Sequence, residues 1–198
     1  MMNAAVFLDR DGTINEEMGY INHPGRFIIF PFVVESIRIF NRLGLKVVVV
    51  TNQSGVARGY FEESLVLELH QKMISELAAN QAQIDAIYYC PHHPKEGTGR
   101  YKIDCECRKP KPGMIQKAVK EHDINLHSSY MIGDRYKDVV FAKNLEIKSG
   151  FVLTGYGRGE YTYQKEQWKI IPDFIGENLL DIAQQIENVV CGKNAHNE

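Results

Sequence analysis

The chain has 198 residues, 44% of them hydrophobic, and a formal net charge of −2 at pH 7. This length supports one sizeable core but leaves too little chain for two full domains, so we expect a single domain over residues 1–190 and a C-terminal tail over 191–198. The slight negative charge excludes long-range attraction to nucleic acid or to an anionic membrane. No apolar run approaches the ~18 residues of a membrane span, and no basic region precedes the first one, which predicts a soluble cytoplasmic protein.

Short apolar runs alternate with amphipathic stretches along the chain. Continuous apolar runs are typical of strands covered on both faces, and their alternation with helices indicates right-handed crossovers within a parallel sheet. The sequence therefore predicts the α/β class, with a Rossmann-like doubly wound parallel sheet. In chain order the expected elements are strand 4–8, helix 33–43, strand 46–50, helix 62–79, strand 86–89, helix 113–122, strand 130–132, helix 136–145, strand 150–153 and helix 177–190, with a surface loop over 155–169.

Three polar residues from distant parts of the chain follow predicted strands. Asp9, Thr51 and Asp134 come at or just after the carboxyl ends of the runs AAVFL, KVVVV and YMI. Ligands of open parallel sheets bind outside the carboxyl ends of the strands. We therefore expect these side chains to converge on one crevice.

The stretch DRDG at 9–12 places two carboxyl groups around a turn. An aspartate at a strand end can act as a nucleophile, which suits Asp9. A second carboxyl two residues on, carried round a turn at Gly12, can face the same centre as general acid and base, which suits Asp11. Taken alone, the stretch fits a surface turn, since Asp and Gly are ordinary turn formers. Arg10 has no part in this chemistry and is interpreted as structural.

Two carboxylates repel a phosphate dianion, so such a site requires a metal ion. Mg²⁺ prefers carboxylate and carbonyl oxygens and neutralises a transferring phosphoryl group. Asp134, in IGDRYKD, would add a carboxylate ligand. Asp138 in the same stretch would orient the metal's ligands or cap the following helix, and a direct role stays open.

Fixed positive charge is the second requirement of a phosphate site. Arg108 and Lys109, in CRKPKPG, offer the cations, and Lys111 competes with Lys109 for the central position. The hydroxyl of Thr51 can donate to a phosphate oxygen, together with backbone N–H groups of the following turn.

Four motifs in sequence resemble those of the haloacid dehalogenase superfamily of phosphotransferases: DRDGT, the threonine that ends KVVVVT, the lysine in RKPKPG, and GDRYKD. The resemblance spans residues 5 to about 153. Within the superfamily, the stretches FLDRDGTIN, TNQSGVARGYF, YYCPHHP, CECRKPKPGM and YMIGDR resemble the D-glycero-D-manno-heptose 1,7-bisphosphate 7-phosphatase family, which is related to the histidinol-phosphate phosphatases.

The resemblance implies an Mg²⁺-dependent phosphatase that removes the 7-phosphate through an aspartyl-phosphate intermediate, in nucleotide-activated heptose biosynthesis. It implies that Asp9 is the nucleophile and Asp11 the acid and base, and that Thr51 and Lys109 stabilise the phosphoryl group. It also implies that Mg²⁺ is bound by the Asp9 and Asp134 carboxylates and the main-chain carbonyl of Asp11. The residues expected to contact substrate are Glu17, Met18, Gly19, Tyr20, Asn52, Gln53, Ser54, Arg108 and Arg135.

The stretch CPHHPKEGTGRYKIDCEC carries two closely spaced pairs, Cys90 with His92 and Cys105 with Cys107. Three thiolates and an imidazole form a closed tetrahedral Zn²⁺ site of the structural type. His93 is the alternative to His92 as the fourth ligand. The CxH and CxC symmetry and the resemblance favour His92. Because this loop over 90–107 directly precedes Arg108 and Lys109, bound zinc would hold the phosphate-binding cations in place. The remaining cysteine, Cys191, is interpreted as a small apolar residue or a free thiol.

The choice of substrate stays open between two phosphate esters. The chain has room only for minimal cap loops, which favours a soluble sugar phosphate, and Arg58, Arg108, Arg135 and Lys137 could meet a second phosphate. Arg135 stands where the heptose family often has lysine and many histidinol-phosphate phosphatases have arginine, so histidinol phosphate is the alternative substrate. A non-enzymatic zinc-binding module is the alternative of another class. The sequence leaves open which anomer of the sugar is the substrate and whether the product supplies lipopolysaccharide or a glycoprotein glycan. The oligomeric state is also open, and we expect a monomer.

Overall fold

The computed structural model describes residues 2–194, with side chains through residue 192. The strands are β1 (Ala5–Leu8), β2 (Lys46–Asn52), β3 (Ala86–Cys90), β4 (Tyr130–Gly133), β5 (Lys148–Val152) and β6 (Phe174–Gly176). The helices are α1 (Val33–Arg42), α2 (Glu63–Ala79), α3 (Gly113–His122), α4 (Tyr136–Asn144), α5 (Gly157–Gln164) and α6 (Leu179–Asn194). All strands are parallel in one sheet of order β3-β2-β1-β4-β5-β6. The predicted doubly wound α/β fold is confirmed.

The side chains of the central strands alternate between the two faces of the sheet and fill a core on each face. In β1, Val6 and Leu8 pack with residues of α1, α2 and α6, whereas Ala5 and Phe7 pack with residues of α3 and α4. All four are fully buried. Burying a side chain the size of leucine contributes about 1.5–3 kcal/mol. Burial on both faces explains why this strand shows no alternation of polar and apolar residues.

The strand register brings the polar residues after β1, β2 and β4 to one edge of the sheet. Leu8 pairs with Val49 of β2 and with Ile132 of β4. The Asp9 N–H continues the ladder by donating to the Ile132 carbonyl at 3.0 Å. The carboxyl ends of these strands therefore carry the predicted crevice.

The segment 155–169 differs from its prediction, because it contains α5 and a short 3₁₀ turn at Lys165–Gln167 rather than a loop. Trp168 anchors it by stacking on Tyr136 at 4.6 Å and meeting Phe151 edge to face at 4.9 Å. Gly157 is the one residue of α5 that is buried. A helix this polar gives no amphipathic signal, so its stability comes from tertiary packing.

The C-terminal region also departs from the sequence prediction. Strand β6 has three residues and pairs with β5, and no pattern in the sequence predicted it. Helix α6 continues to Asn194, so the first four residues of the predicted tail are helical, and residues 195–198 lie outside the described part of the chain. Of the helices within residues 2–194, none is long and apolar enough to cross a membrane.

Candidate active site

A cavity of about 230 Å³ opens at the carboxyl ends of β1, β2 and β4. Lys137 and Tyr156 line it together with most of the predicted site residues. The predicted residues that line it are Asp9, Asp11, Glu17, Gly19, Tyr20, Thr51, Asn52, Ser54, Arg108, Lys109, Asp134 and Arg135. The topology thus brings together residues from both halves of the chain, as expected for a parallel sheet.

Lys109 bridges two carboxylates inside the cavity. Its Nζ lies 3.0 Å from Asp9 Oδ2 and 2.9 Å from Asp138 Oδ1. Burial alone would lower the pKa of Lys109, but the Asp138 and Asp9 carboxylates raise it, so the ammonium stays charged. Lys111 instead makes ion pairs with two exposed acidic residues. Of the two competing lysines, Lys109 is the one that reaches Asp9.

Asp9, Asp134 and Asp138 form a carboxylate cluster in which one oxygen from each lies within 4.8 Å of the others, with Asp134 and Asp138 buried and Asp9 half-buried. Burial raises the pKa of Asp9 despite the nearby Lys109. Burial and the charge of Asp9 raise the pKa of Asp134 to about 8. Asp138 Oδ2 is buried and has no hydrogen-bond partner among the described residues. Three carboxylates share the single ammonium of Lys109 and one oxygen is left unpaired, so the cluster fits a divalent cation that takes oxygen ligands, such as Mg²⁺.

Asp11 is held by a guanidinium and two amides. Its carboxylate accepts from Arg10 Nη2 at 2.8 Å, Asn15 Nδ2 at 2.9 Å and Gln53 Nε2 at 2.8 Å. Burial would raise the pKa of Asp11, but these donors, Arg10 above all, hold it below its usual value. Arg10 is buried in turn, with Nη1 3.3 Å from Nε2 of His70. Asp11 is therefore an ionised carboxylate fixed at the cavity wall.

Gly12 allows a close approach that a larger residue would prevent. It has φ +78°, and a Cβ at this position would lie 2.2 Å from Asp134 Oδ2. A Cβ at Gly155 would lie at the same distance from that oxygen. The Thr154 hydroxyl donates to the Gly12 carbonyl at 2.5 Å. The loops after β1 and β5 therefore close around Asp134, which explains why both turns use glycine.

Amide side chains after β2 position their neighbours. Gln53 Nε2 donates to Thr51 Oγ1 at 2.9 Å as well as to Asp11, so Gln53 holds these two side chains and is not among the residues that line the cavity. The Asn52 amide bonds to the backbone of Lys109, with Nδ2 3.1 Å from the carbonyl oxygen and Oδ1 3.0 Å from the nitrogen. Asn52 thus fixes the cation's backbone while also lining the cavity.

The turn over residues 17–20 forms one wall of the cavity. Glu17 Oε1 accepts from the Gly19 N–H at 2.5 Å, and Tyr20 meets Tyr60 edge to face at 4.7 Å. Met18 lies in the same turn, but its side chain packs against the hydrophobic core. The resemblance implies a substrate contact for Met18, whereas the packing of its side chain against the core supports the turn.

Three of the four cations expected to meet a second phosphate line the cavity: Arg108, Arg135 and Lys137. Arg108 Nη1 donates to the His92 carbonyl at 3.0 Å, which ties it to the cysteine-rich loop. The fourth, Arg58, lies toward that loop, with Nη2 3.3 Å from His93 Nε2. Positive charge therefore reaches the cavity from two segments of the chain, the end of the cysteine-rich loop and the segment after β4.

The cysteine-rich loop brings together the predicted zinc ligands, Cys90, His92, Cys105 and Cys107, whose ligand atoms lie within 4.8 Å of one another. His92 Nδ1 lies 3.4 Å from Cys107 Sγ. Burial and the hydrogen bond with Cys107 raise the pKa of Cys90. Three sulfurs and one imidazole nitrogen at these separations fit a closed tetrahedral Zn²⁺ site. His93 points to Arg58 instead and accepts N–H groups of its own loop.

Some contributors to the site carry no sequence signal or only a weak one. Arg10 and His70 support Asp11, although a buried arginine runs against the usual surface preference of that residue type. Tyr156 donates its backbone N–H to Asp134 Oδ2 at 2.8 Å. Tyr156 could have been identified from its position three residues after the run GFVL, because the carboxyl end of that strand lies next to the carboxyl end of β4. Glu160 contacts Arg135 from α5, which no pattern predicted.

The fold and this cavity define a hydrolase of the haloacid dehalogenase type, and comparison with known proteins agrees. A HAD-hydrolase-like family model matches residues 106–182. A D-glycero-beta-D-manno-heptose-1,7-bisphosphate 7-phosphatase of Haemophilus influenzae is 40% identical over 95% of this chain and 99% of its own. That of Photorhabdus laumondii is 46% identical over 93% of this chain and 96% of its own. The chain belongs to this family of phosphatases.

A solved structure supports the same family. The D,D-heptose 1,7-bisphosphate phosphatase of B. bronchiseptica, complexed with magnesium and phosphate, superimposes with a TM-score of 0.79 at 32% identity. The similarity covers 92% of this chain and 97% of that one. The protein is therefore an enzyme, a phosphatase, and the alternative of a non-enzymatic zinc-binding module is excluded.

Proposed function

We propose that this phosphatase removes the 7-phosphate of D-glycero-β-D-manno-heptose 1,7-bisphosphate. The observation that carries the proposal is the pairing of Asp9 with Lys109 in a cavity that also presents Arg108, Arg135 and Lys137. The first pair suits a phosphate that reacts, and the further cations suit a phosphate that only binds. The β anomer follows from the names of the relatives that are 38–46% identical.

In the first step, a carboxylate oxygen of Asp9 bonds to the phosphorus of the 7-phosphate while the bond from phosphorus to the sugar oxygen breaks. The leaving oxygen takes a proton from Asp11, which is ionised in the resting site and carries the proton that it took from water in the preceding turnover. Lys109 and the Thr51 hydroxyl stabilise the charge on the transferring group. The product of this step is an aspartyl-phosphate and the released sugar.

In the second step, a water oxygen bonds to the phosphorus of the aspartyl-phosphate. One of its protons passes to Asp11, which is then protonated for the next turnover, the other stays on the phosphate, and the bond from phosphorus to the Asp9 oxygen breaks. Inorganic phosphate leaves and the Asp9 carboxylate is restored.

Mg²⁺ is the proposed cofactor of the carboxylate cluster. The residues that would hold it are Asp9 and Asp134, through their carboxylates, Asp11, through its main-chain carbonyl, and the adjacent Asp138. When bound, the ion neutralises part of the charge that develops on the phosphoryl group. Burial raises the pKa values of Asp9 and Asp134 and so disfavours their ionised forms. A bound dication would supply the positive charge that keeps both carboxylates ionised, which supports this assignment.

Zn²⁺ is the proposed occupant of the cysteine-rich loop, and its role is structural. Cys107 is next to Arg108 in the chain, and Arg108 also bonds to the carbonyl of His92, a proposed ligand. Zinc would therefore hold Arg108 and the following Lys109 in place without contacting the substrate. Removing zinc with a chelator should lower activity, and adding Zn²⁺ should restore it. Full activity in protein shown to be free of zinc would contradict this role.

The substrate is tested by phosphate release in the presence of Mg²⁺. We expect kcat/KM for the β anomer of D-glycero-D-manno-heptose 1,7-bisphosphate to exceed that for the α anomer and for histidinol phosphate. A hundredfold preference corresponds to about 2.7 kcal/mol of differential transition-state binding. The Asp9→Asn variant supplies the blank. A preference for histidinol phosphate would keep the chemistry and overturn the substrate.

The place of the enzyme in the cell stays a prediction from the sequence. Action as a monomer in the cytoplasm, supplying heptose for lipopolysaccharide, agrees with a small sugar bisphosphate as substrate. The lining cations of the cavity suit a charged metabolite of this kind.

A further inference from the structure

Glu160 lies outside the residues that the sequence motifs identify, yet both of its carboxylate oxygens bond to the segment after Asp134. Oε1 accepts from Arg135 Nε at 2.5 Å, and Oε2 accepts from the Tyr136 backbone N–H at 2.7 Å. The Glu160 side chain is only 12% exposed. These two bonds to adjacent residues fix the orientation of the carboxylate.

Arg135 is held on a second side by Tyr156. The guanidinium carbon lies 4.2 Å from the centre of the Tyr156 ring, and both residues line the cavity. Among the described residues, the hydrogen bond of the Arg135 guanidinium is made by Nε. The two Nη groups are therefore left for another ligand, and a guanidinium fork of this kind matches the oxygens of a phosphate.

We propose that Glu160 is a positioning residue that orders Arg135 for the phosphate that is bound but not hydrolysed. This inference rests on the proposed function, since only a bisphosphate substrate carries that second group. Arg135 that is already ordered loses less side-chain entropy when it binds phosphate than a freely rotating arginine does.

The direction in which neutralising Glu160 changes binding of the second phosphate shows whether Glu160 acts by ordering Arg135 or only by its charge. The negative charge of Glu160 beside Arg135 weakens the attraction of the cavity for an anion. If charge were its main effect, neutralising Glu160 would strengthen binding of the second phosphate. If Glu160 acts by ordering Arg135, neutralising it weakens that binding.

The experiment compares steady-state kinetics on heptose 1,7-bisphosphate and on heptose 7-phosphate, which lacks the second phosphate. For Glu160→Ala and Glu160→Gln, we expect KM for the bisphosphate to rise about tenfold while kcat stays within about twofold. The kinetics on the monophosphate should not change. Arg135→Ala should raise KM for the bisphosphate at least as much, and adding Glu160→Ala to it should cause no further rise. Glu166→Ala, at an exposed position beyond α5, is the matched control.

Glu160→Gln also guards against a loss of folding, because its amide oxygen can still accept from the Tyr136 N–H. An unchanged or lower KM for the bisphosphate would overturn the inference, and so would an equal rise for both substrates, which indicates a structural role. If the wild-type enzyme does not prefer the bisphosphate, the proposed function itself fails and this inference fails with it. If the wild type prefers the bisphosphate and the Glu160 variants keep that preference, only this inference fails.

Discussion

Replacing Arg10 with methionine tests how strongly the fold depends on the ion pair between Arg10 and Asp11. Arg10 is 1% exposed, and Nη2 is 2.8 Å from Asp11 Oδ1 and 2.9 Å from Oδ2. Removing one partner of a buried ion pair costs about 3–5 kcal/mol, because the other charge is left uncompensated. Asp11 is 21% exposed and keeps the amides of Asn15 and Gln53, so the lower end of that range applies. We expect the Arg10→Met variant to lose about 3 kcal/mol of unfolding free energy.

A double-mutant cycle tests the reasoning. Asp11→Asn leaves a more deeply buried guanidinium unpaired and should cost about 4 kcal/mol. The double variant has neither charge, so it should also lose only about 3–4 kcal/mol, which gives a coupling energy of about 3–4 kcal/mol. Urea unfolding at fixed metal concentration, followed by the fluorescence of the single tryptophan, Trp168, measures all four proteins. A double variant that loses the sum of the two single effects, about 7 kcal/mol, would refute the account, because packing and not charge would then dominate.

The control for this cycle is Arg158→Met, which removes an exposed arginine that pairs with Glu177 on the surface. The Arg158 side chain is 63% exposed. Surface ion pairs of this kind contribute at most about 1 kcal/mol. This variant should therefore unfold almost as the wild type does.

Two further predictions concern pH and the zinc loop. Burial lowers the pKa of His70 to about 3. As the pH falls below about 6.5, the unfolded chain therefore takes up a proton at this histidine that the folded chain does not. About 2 kcal/mol of unfolding free energy should be lost by pH 5. Urea unfolding at several pH values should show less of this loss in His70→Gln, and an equal loss in both proteins would contradict the assignment. A Cβ at Gly97 would meet the Ala57 carbonyl oxygen, whereas one at Gly99 meets nothing within 4 Å, although both residues have positive φ. Gly97→Ala should therefore lower zinc retention and activity more than Gly99→Ala does, as measured by metal content and kcat/KM. Equal losses in the two variants would show that the positive φ, and not the contact with Ala57, is responsible.

The sheet and the convergence of Asp9, Thr51 and Asp134 could be predicted because they follow from local patterns. Strands buried on both faces are continuous apolar runs, and the carboxyl ends of parallel strands lie at one edge. The same reasoning cannot choose between Lys109 and Lys111. Both fit the stretch RKPKPG, and only the folded loop shows that Lys109 reaches Asp9.

The support around the site could not be predicted, because it depends on burial and on contacts between distant residues. A buried Arg10 opposes the surface preference of arginine, and its partner His70 lies sixty positions away in the sequence. Glu160 lies on a short polar helix that has no amphipathic pattern and is held in place by packing around Trp168. Such residues become visible only when the tertiary structure shows what each polar group contacts.

The covalent role of Asp9 is the central claim, and trapping the intermediate tests it most directly. Protein mixed with heptose bisphosphate and Mg²⁺ is quenched within a turnover and treated with borohydride, which reduces an aspartyl-phosphate to homoserine. Asp11→Asn should increase the trapped fraction by slowing hydrolysis of the intermediate. We expect peptide mass spectrometry to find homoserine at position 9 in the wild type and in Asp11→Asn, and none in Asp9→Asn. Homoserine at another aspartate, or turnover that persists in Asp9→Asn, would contradict the account.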